Sequence, residues 1–179
     1  MRVLVGYASA KGSTREIAER IATRLRAAGH VTAVASVDQA SAIASYDVLV
    51  LGSAIHNGQW LPEAMAAVTS LPSGIENLPV WAFSVSSIGA TSSTVSPALA
   101  RVLRARTPLP KAVQHLQELS DLRAHRFFAG AIARGDWPGV GRIVFRLMGG
   151  RYGDARDWAD VAAWADGIAN DLARQAGPV

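Results

Sequence analysis

The stretch Val3-Leu4-Val5-Gly6-Tyr7-Ala8-Ser9-Ala10-Lys11-Gly12-Ser13-Thr14-Arg15-Glu16-Ile17 decides how this chain folds. Its first three residues are an apolar, β-branched run that reads as a buried strand. Ser9 to Thr14 are small and polar. Beyond them Ile17, Ala18, Ile21, Ala22 and Leu25 recur at helical spacing, with Gly29 as a stop. Ser13 to Glu16 reads as a capping box, the Ser13 hydroxyl accepting from the Glu16 amide while Glu16 reaches back. A strand that turns directly into a helix is the opening half of a strand–helix–strand unit.

The same alternation continues outward. Val31–Val37, Asp47–Gly52, Pro79–Ser84 and Arg126–Ile132 read as further strands. Asp47–Gly52 is apolar enough for burial on both faces, as parallel strands are. Helices are expected from Pro62 to about Leu71, over Pro97–Arg106, and from Asp157, an N-cap, through Trp158, Val161, Ala165, Ile168 and Leu172. Strands separated by helical patterns predict an α/β fold, a parallel sheet with helices on both faces. No repeat, low-complexity tract or linker divides the chain, so residues 1–179 are expected to form one domain.

Composition narrows the chemistry. Of 179 residues, 50% are hydrophobic and 18% charged, which excludes wholesale disorder. Cysteine is absent, removing disulfides, thiolate nucleophiles and Cys-ligated metals together. No apolar run is long enough to span a bilayer, and Met1-Arg2 leads into a strand without a signal-peptide pattern; a cytoplasmic protein is the expectation. The net charge of +4 is uneven. Residues 1–100 carry six basic and six acidic side chains, residues 101–156 eleven and four, and residues 157–179 one and four. The middle block therefore holds +7, suited to an anionic leaflet or acidic partner or simply a solvated arginine surface. Nucleic acid is not expected, because no aromatics interleave the arginines as stacking platforms.

Ligands of open parallel sheets gather outside the carboxyl ends of the strands. The first turn there is Ser9, Ala10, Lys11, Gly12, Ser13 and Thr14, opening onto a helix N-terminus whose amides and dipole favour an anion. It is not the dinucleotide fingerprint, having one glycine in the window. Nor is it Walker A: five residues separate Gly6 from Gly12, and Ser13 stands where lysine belongs. A capped turn without ligand is the plain alternative. Two later loops leave strands at the same end: Ser53, Ala54, Ile55, His56, Asn57, Gly58, Gln59 and Trp60, then Ser84 to Thr91 with Ser86, Ser87, Ile88 and Gly89. Their amides suit the edge of a flat ring. One loop for a phosphate and two for a heterocycle describe a mononucleotide site, and a flavin is the economical redox candidate.

With these residues in view, the sequence resembles the flavodoxin family, whose hydroxyl-rich loop Thr-x-Thr-Gly-x-Thr is filled here as Ser9-Ala10-Lys11-Gly12-Ser13-Thr14. More narrowly, Tyr7–Ile21, Tyr46–Ala64, Phe128–Ile132 and Gly149–Leu172 are similar to flavodoxin-domain proteins of the menaquinone-dependent protoporphyrinogen oxidase type. The likeness is thinnest over residues 92–125. It implies a three-layer αβα sandwich with a five-stranded sheet in order 2-1-3-4-5. It also implies FMN, and an oxidoreductase or electron carrier coupled to a quinone, a porphyrinogen-like molecule or a redox partner protein. His56 and Asn57 stand where relatives place an aromatic, so ring stacking falls to His56 or Trp60, if to any side chain.

Individual residues carry two readings each. Lys11 can add a charge-assisted bond to phosphate or face water. His56 can edge the flavin or be a surface histidine, and Trp60 can be a flavin neighbour or pack at a helix start. His30, His115 and His125 lack metal-ligand spacing, so no metal is expected. No side chain is required as an acid–base catalyst, because a flavin carries its own redox chemistry. Arg142, Arg146 and Arg151 around Ile143, Val144, Leu147 and Met148 could rest on an anionic membrane surface at its inner face, or snorkel from a packed helix. A non-enzymatic docking module with a vestigial flavin site, and a deazaflavin variant, stand as alternatives.

Overall fold

The structure is a computed structural model that describes residues 1–38, 43–72, 74–133, 143, 146–147 and 149–175. Strand β1 (Arg2–Ala8) leads into helix α1 (Ser13–Ala27) and strand β2 (Val31–Ser36). Strand β3 (Val48–His56) turns into the short β4 (Gln59–Trp60), followed by helix α2 (Pro62–Thr69) and strand β5 (Pro79–Ser86). Helices α3 (Pro97–Arg106) and α4 (Lys111–Leu119) precede strand β6 (Asp121–Ala129). A two-stranded pair, β7 (Ala131–Ile132) and β8 (Gly153–Asp154), and helix α5 (Trp158–Gln175) complete the order.

The main sheet runs β2-β1-β3-β5-β6 with all four pairings parallel. Renumbered without the hairpin strand β4, that is the expected 2-1-3-4-5. β4 adds a sixth strand, antiparallel on β3.

Strand alternation sends successive side chains to opposite faces. Val3, Val5, Val48, Val50, Trp81, Phe83 and Phe128 meet α1 and α5 through Ile17, Ile21, Leu25, Val161, Ala165, Ile168 and Leu172. Leu4, Leu49, Leu51, Val80 and Ala82 meet α2 and α4 through Ala64, Val68, Ala112, Val113 and Leu116. Helix α3 instead sits in a small satellite cluster, with Val95 and Ala100 packed by Ile88, Leu99, Ile132 and Tyr152.

Several local expectations hold and several give way. Gly29 has φ +88° just past α1, and the His30 amide reaches back to the Leu25 carbonyl at 3.1 Å, closing the helix. Asp157 caps α5, its Oδ1 accepting from the amides of Asp160 at 3.0 Å and Ala159 at 3.1 Å; the Asp160 amide first, then the Thr91 side chain, hold its carboxyl below the usual range. The capping box at α1 does not form. Gly12 is the N-cap, Ser13 already lies in the helix, and no side chain caps it. Three strands extend past their expected ends: β3 to His56, β5 to Ser86, and β6 back to Asp121. Arg126–Ile132 is not one strand, because Gly130 separates β6 from β7. Helix α4 was not anticipated. Of the basic segment, Arg146 and Leu147 are described and exposed, while Arg142 lies outside the described residues.

Candidate functional site

Three strand ends and a hairpin enclose one cleft of about 720 Å3 at the carboxyl end of the sheet. Its floor is the β1–α1 turn, contributing Ser9, Ala10, Lys11, Ser13 and Thr14. Gly12 gives that turn its shape. Its φ of +90° is a left-handed conformation that side chains other than glycine resist. The Gly12 amide donates to Ser9 Oγ at 3.0 Å, folding the turn over the first amides of a 15-residue helix. The first amides of α1 and its positive dipole end therefore lie at the cleft floor.

The second wall is Ala54, Ile55, His56 and Asn57. It is the tip of a hairpin rather than an irregular loop. Asn57 at φ +50° and Gly58 at φ +77° are the two central residues, and His56 pairs with Gln59. Both positive φ values fit a two-residue type I′ turn, for which Asn-Gly is the preferred pair.

The third wall is Val85, Ser86 and Ser87. Ser86 Oγ donates to the Ile88 carbonyl at 2.8 Å and accepts from the Ile88 amide at 3.0 Å, turning the chain away from the sheet.

The fourth wall, Gly130, Ala131 and Ile132, was missed from sequence. It is tied to the floor through Ser13, whose hydroxyl accepts from the Ala131 amide at 3.1 Å and donates to the Ala131 carbonyl at 3.4 Å. Arg156 fastens the paired strand β8 from outside, with its Nη1 2.6 Å from Glu16 and its Nε 2.8 Å from Asp154. Those bonds raise the Arg156 pKa and lower that of Asp154. Sequence gives no sign of it, because Arg126–Ile132 reads as one continuous strand, whereas β6 ends at Ala129 and the chain turns at Gly130.

The sequence-selected residues thus divide. Ser9, Ala10, Lys11, Ser13, Thr14, Ala54, Ile55, His56, Asn57, Ser86 and Ser87 come together around the cleft. Ser53 is fully buried, donating to the Ala54 carbonyl and accepting from the Leu61 amide. Trp60 is 5% exposed, with its Nε1 donating to Ser84 Oγ at 2.8 Å, so it packs beneath the hairpin rather than against the cleft. Gly58 completes the hairpin turn. Ile88 and Gly89 line a separate cavity behind the third wall.

Chemically, the main cleft offers hydroxyls, helix amides and the Lys11 ammonium, and no carboxylate lines it among the described residues. That donor set suits a dianion at the floor. No group of three or more His, Asp or Glu residues able to hold a metal is present among the described residues.

The model of the flavodoxin domain family matches residues 4–149, most of the chain. The chain belongs to the flavodoxin domain family. FMN is the cofactor of that family. Among solved structures, this flavodoxin domain is similar to a short-chain flavodoxin associated with a non-canonical PDU bacterial microcompartment, at TM-score 0.61 and 10% identity over 96% of this chain and 98% of that one. It is similar also to oxidised flavodoxin 2 from Bacillus cereus, at TM-score 0.54 and 16% identity over 98% and 99%. Against the rubredoxin oxygen:oxidoreductase of Desulfovibrio gigas it gives TM-score 0.57 and 16% identity, spanning 99% of this chain but 37% of that one. At these identities the flavodoxin domain shares their fold. A comparison with curated proteins finds no match.

Proposed function

We propose that this flavodoxin domain binds FMN in the main cleft and acts as an electron carrier or flavin-dependent oxidoreductase. The observation that carries this reading is the floor. A left-handed glycine, a serine-rich turn and the N-terminus of α1 converge where a phosphate ester would enter. The cleft volume falls in the range of roughly 300–1,000 Å3 typical of small-molecule sites.

Ser9, Lys11, Thr14 and the α1 amides would hold the phosphate; Ala54–Asn57 and Val85–Ser87 would border the ring. Ser13 engages the Ala131 backbone, so its part is to join the floor to the fourth wall. Among the described residues no tryptophan, tyrosine or phenylalanine lines the cleft, and His56, Ile55, Val85 and Ile132 are the described side chains placed to contact a flat ring. Bound FMN would supply one- and two-electron chemistry. The protein supplies orientation and partial exclusion of water.

The resemblance narrows the reading to a quinone-like or porphyrinogen-like electron partner. Exposed Ile143 and Leu147 beside exposed Arg146 support a peripheral contact with an anionic membrane surface. Among the described residues no helix is long and apolar enough to cross a membrane.

Titration of the purified chain with FMN tests the central reading. Flavin fluorescence should quench saturably at one equivalent, and Gly12→Asp should abolish the quench while leaving the circular dichroism spectrum unchanged. Absence of saturable FMN binding by the parent protein overturns it. Anaerobic mixing of the reduced, loaded protein with a short-chain quinone then tests the partner, and sedimentation with anionic vesicles tests the membrane contact; no reoxidation, or no sedimentation, removes the respective refinement.

A further inference from the structure

A second cavity, of about 250 Å3, lies behind the third wall between the end of α3 and strand β6. Ile88, Gly89, Ala90, Arg104, Thr107, His125, Arg126 and Phe127 line it, and none of them is acidic. Arg126 is already neutralised by an ion pair with Asp160 of α5. Arg104 is not. Its Nε donates to the Gly89 carbonyl at 2.6 Å and its Nη2 to the Ser92 carbonyl at 3.1 Å, and both partners are uncharged. Two of the five guanidinium N–H groups are thereby engaged. The head is held in place, three donors remain, and the positive charge has no acidic partner among the described residues.

His125 adds a neutral polar ring to the lining. Trp60 Nε1 can only donate, so Ser84 Oγ accepts from it at 2.8 Å, and the same oxygen lies 2.8 Å from His125 Nε2 in a second hydrogen bond. Burial keeps the imidazole uncharged, with its pKa lowered to about 4. The other walls, Ile88, Ala90 and Phe127, are apolar, and Phe127 meets the His125 ring edge-on at 4.6 Å.

We infer that this cavity is a binding site for a single-ring aromatic carboxylate, its carboxylate on Arg104 and its ring against Ile88, Ala90 and Phe127. Charge selects an anion, and the apolar walls select a ring. Size selects one ring, since a cavity of about 150 Å3 already accommodates benzene. The inference does not rest on the FMN reading, because the cavity shares no lining residue with the main cleft.

The test is calorimetric titration of the full chain with benzoate, benzyl alcohol and acetate. Benzoate should bind saturably at one equivalent, with benzyl alcohol and acetate each about tenfold weaker or worse, the worth of a charge-assisted bond or of a buried ring. Arg104→Gln should weaken benzoate about tenfold. Because Arg104 also holds the 89–92 loop, Ala90→Leu, which enlarges an apolar wall residue and keeps the arginine, should do the same. Gly12→Asp should leave the benzoate isotherm unchanged even where FMN binding is lost. No saturable benzoate binding, equal binding of benzyl alcohol, or parent-like affinity in both cavity variants overturns the inference.

Discussion

The two faces of the central sheet solve the burial problem differently. The face under α1 and α5 is dry and aromatic. Phe83 and Phe128 lie 6.1 Å apart, and Trp164 of α5 meets them at 6.1 Å and 5.6 Å with its ring turned edge-on. The face under α2 and α4 contains a polar thread instead, running from Trp60 of β4 through fully buried Ser84 of β5 to His125 of β6. One face is held by shape and dispersion, the other partly by hydrogen bonds that have no substitute once buried. The thread lies one residue from the third wall of the main cleft and ends in the second cavity. Polarity has entered the core on the side where the ligand-facing loops attach.

The dry face should show the largest response to truncation. Phe83 is fully buried, and its ring lies so close over Gly52 that a Cβ there would come within 2.0 Å of it. Phe83→Ala should therefore cost about 3–5 kcal/mol, read as a lowered urea midpoint. Gly52→Ala alone should also destabilise, by about 1–3 kcal/mol from overpacking, yet add little in the Phe83→Ala background. Additive losses would show that ring and glycine are not coupled, and the contrast between the faces would lose its packing basis.

The contrast also explains what could be read from the sequence. Helices α1 and α5 stand out because Ile17, Ile21 and Leu25, and Val161, Ala165, Ile168 and Leu172, recur along one stripe. The β1–α1 turn was legible for a related reason, since a glycine and hydroxyls just before a helical stripe mark a helix N-terminus, whose amides favour an anion. Helix α4 was not legible. Its buried residues are Ala112, Val113 and Leu116, a narrow stripe among Lys111, Gln114, His115 and Gln117. The fourth wall was hidden because Arg126–Ile132 has strand-like composition throughout, and only the geometry shows the break at Gly130. Trp60 and His125 have the residue types of a ligand site, but Trp60 belongs to the core and His125 to the second cavity. Residue type alone cannot separate a buried polar thread from a binding surface.

Acid should act on the polar face. The His125 pKa falls to about 4 in the folded chain, from 6.5, because burial disfavours the charged ring. Between those values the unfolded chain binds the extra proton and the folded chain does not. The stabilisation is therefore complete above pH 6.5 and is lost as the pH falls toward 4. At 1.36 kcal/mol per pH unit, the loss approaches about 3 kcal/mol. His125→Gln, which cannot titrate, should flatten this part of the stability profile relative to the parent. Parallel profiles for the two proteins would place the acid sensitivity elsewhere.

The smallest effect tests whether the thread acts as a unit. Ser84→Ala removes the only acceptor shown for Trp60 Nε1, leaving an N–H without a partner on a ring that is 5% exposed. That orphaned donor should cost about 1–3 kcal/mol, less than losing the Phe83 ring but more than a hydroxyl at the surface. Trp60→Phe in the same chain removes the donor that Ser84→Ala orphans, while adding the loss of packed indole surface. The pair should therefore lose less than the sum of its single losses, by about 1 kcal/mol or more. A strictly additive double variant would mean that Trp60 and Ser84 are neighbours without being partners. The two faces would then differ in composition alone, because only a shared hydrogen bond makes removal of one end more harmful than removal of both.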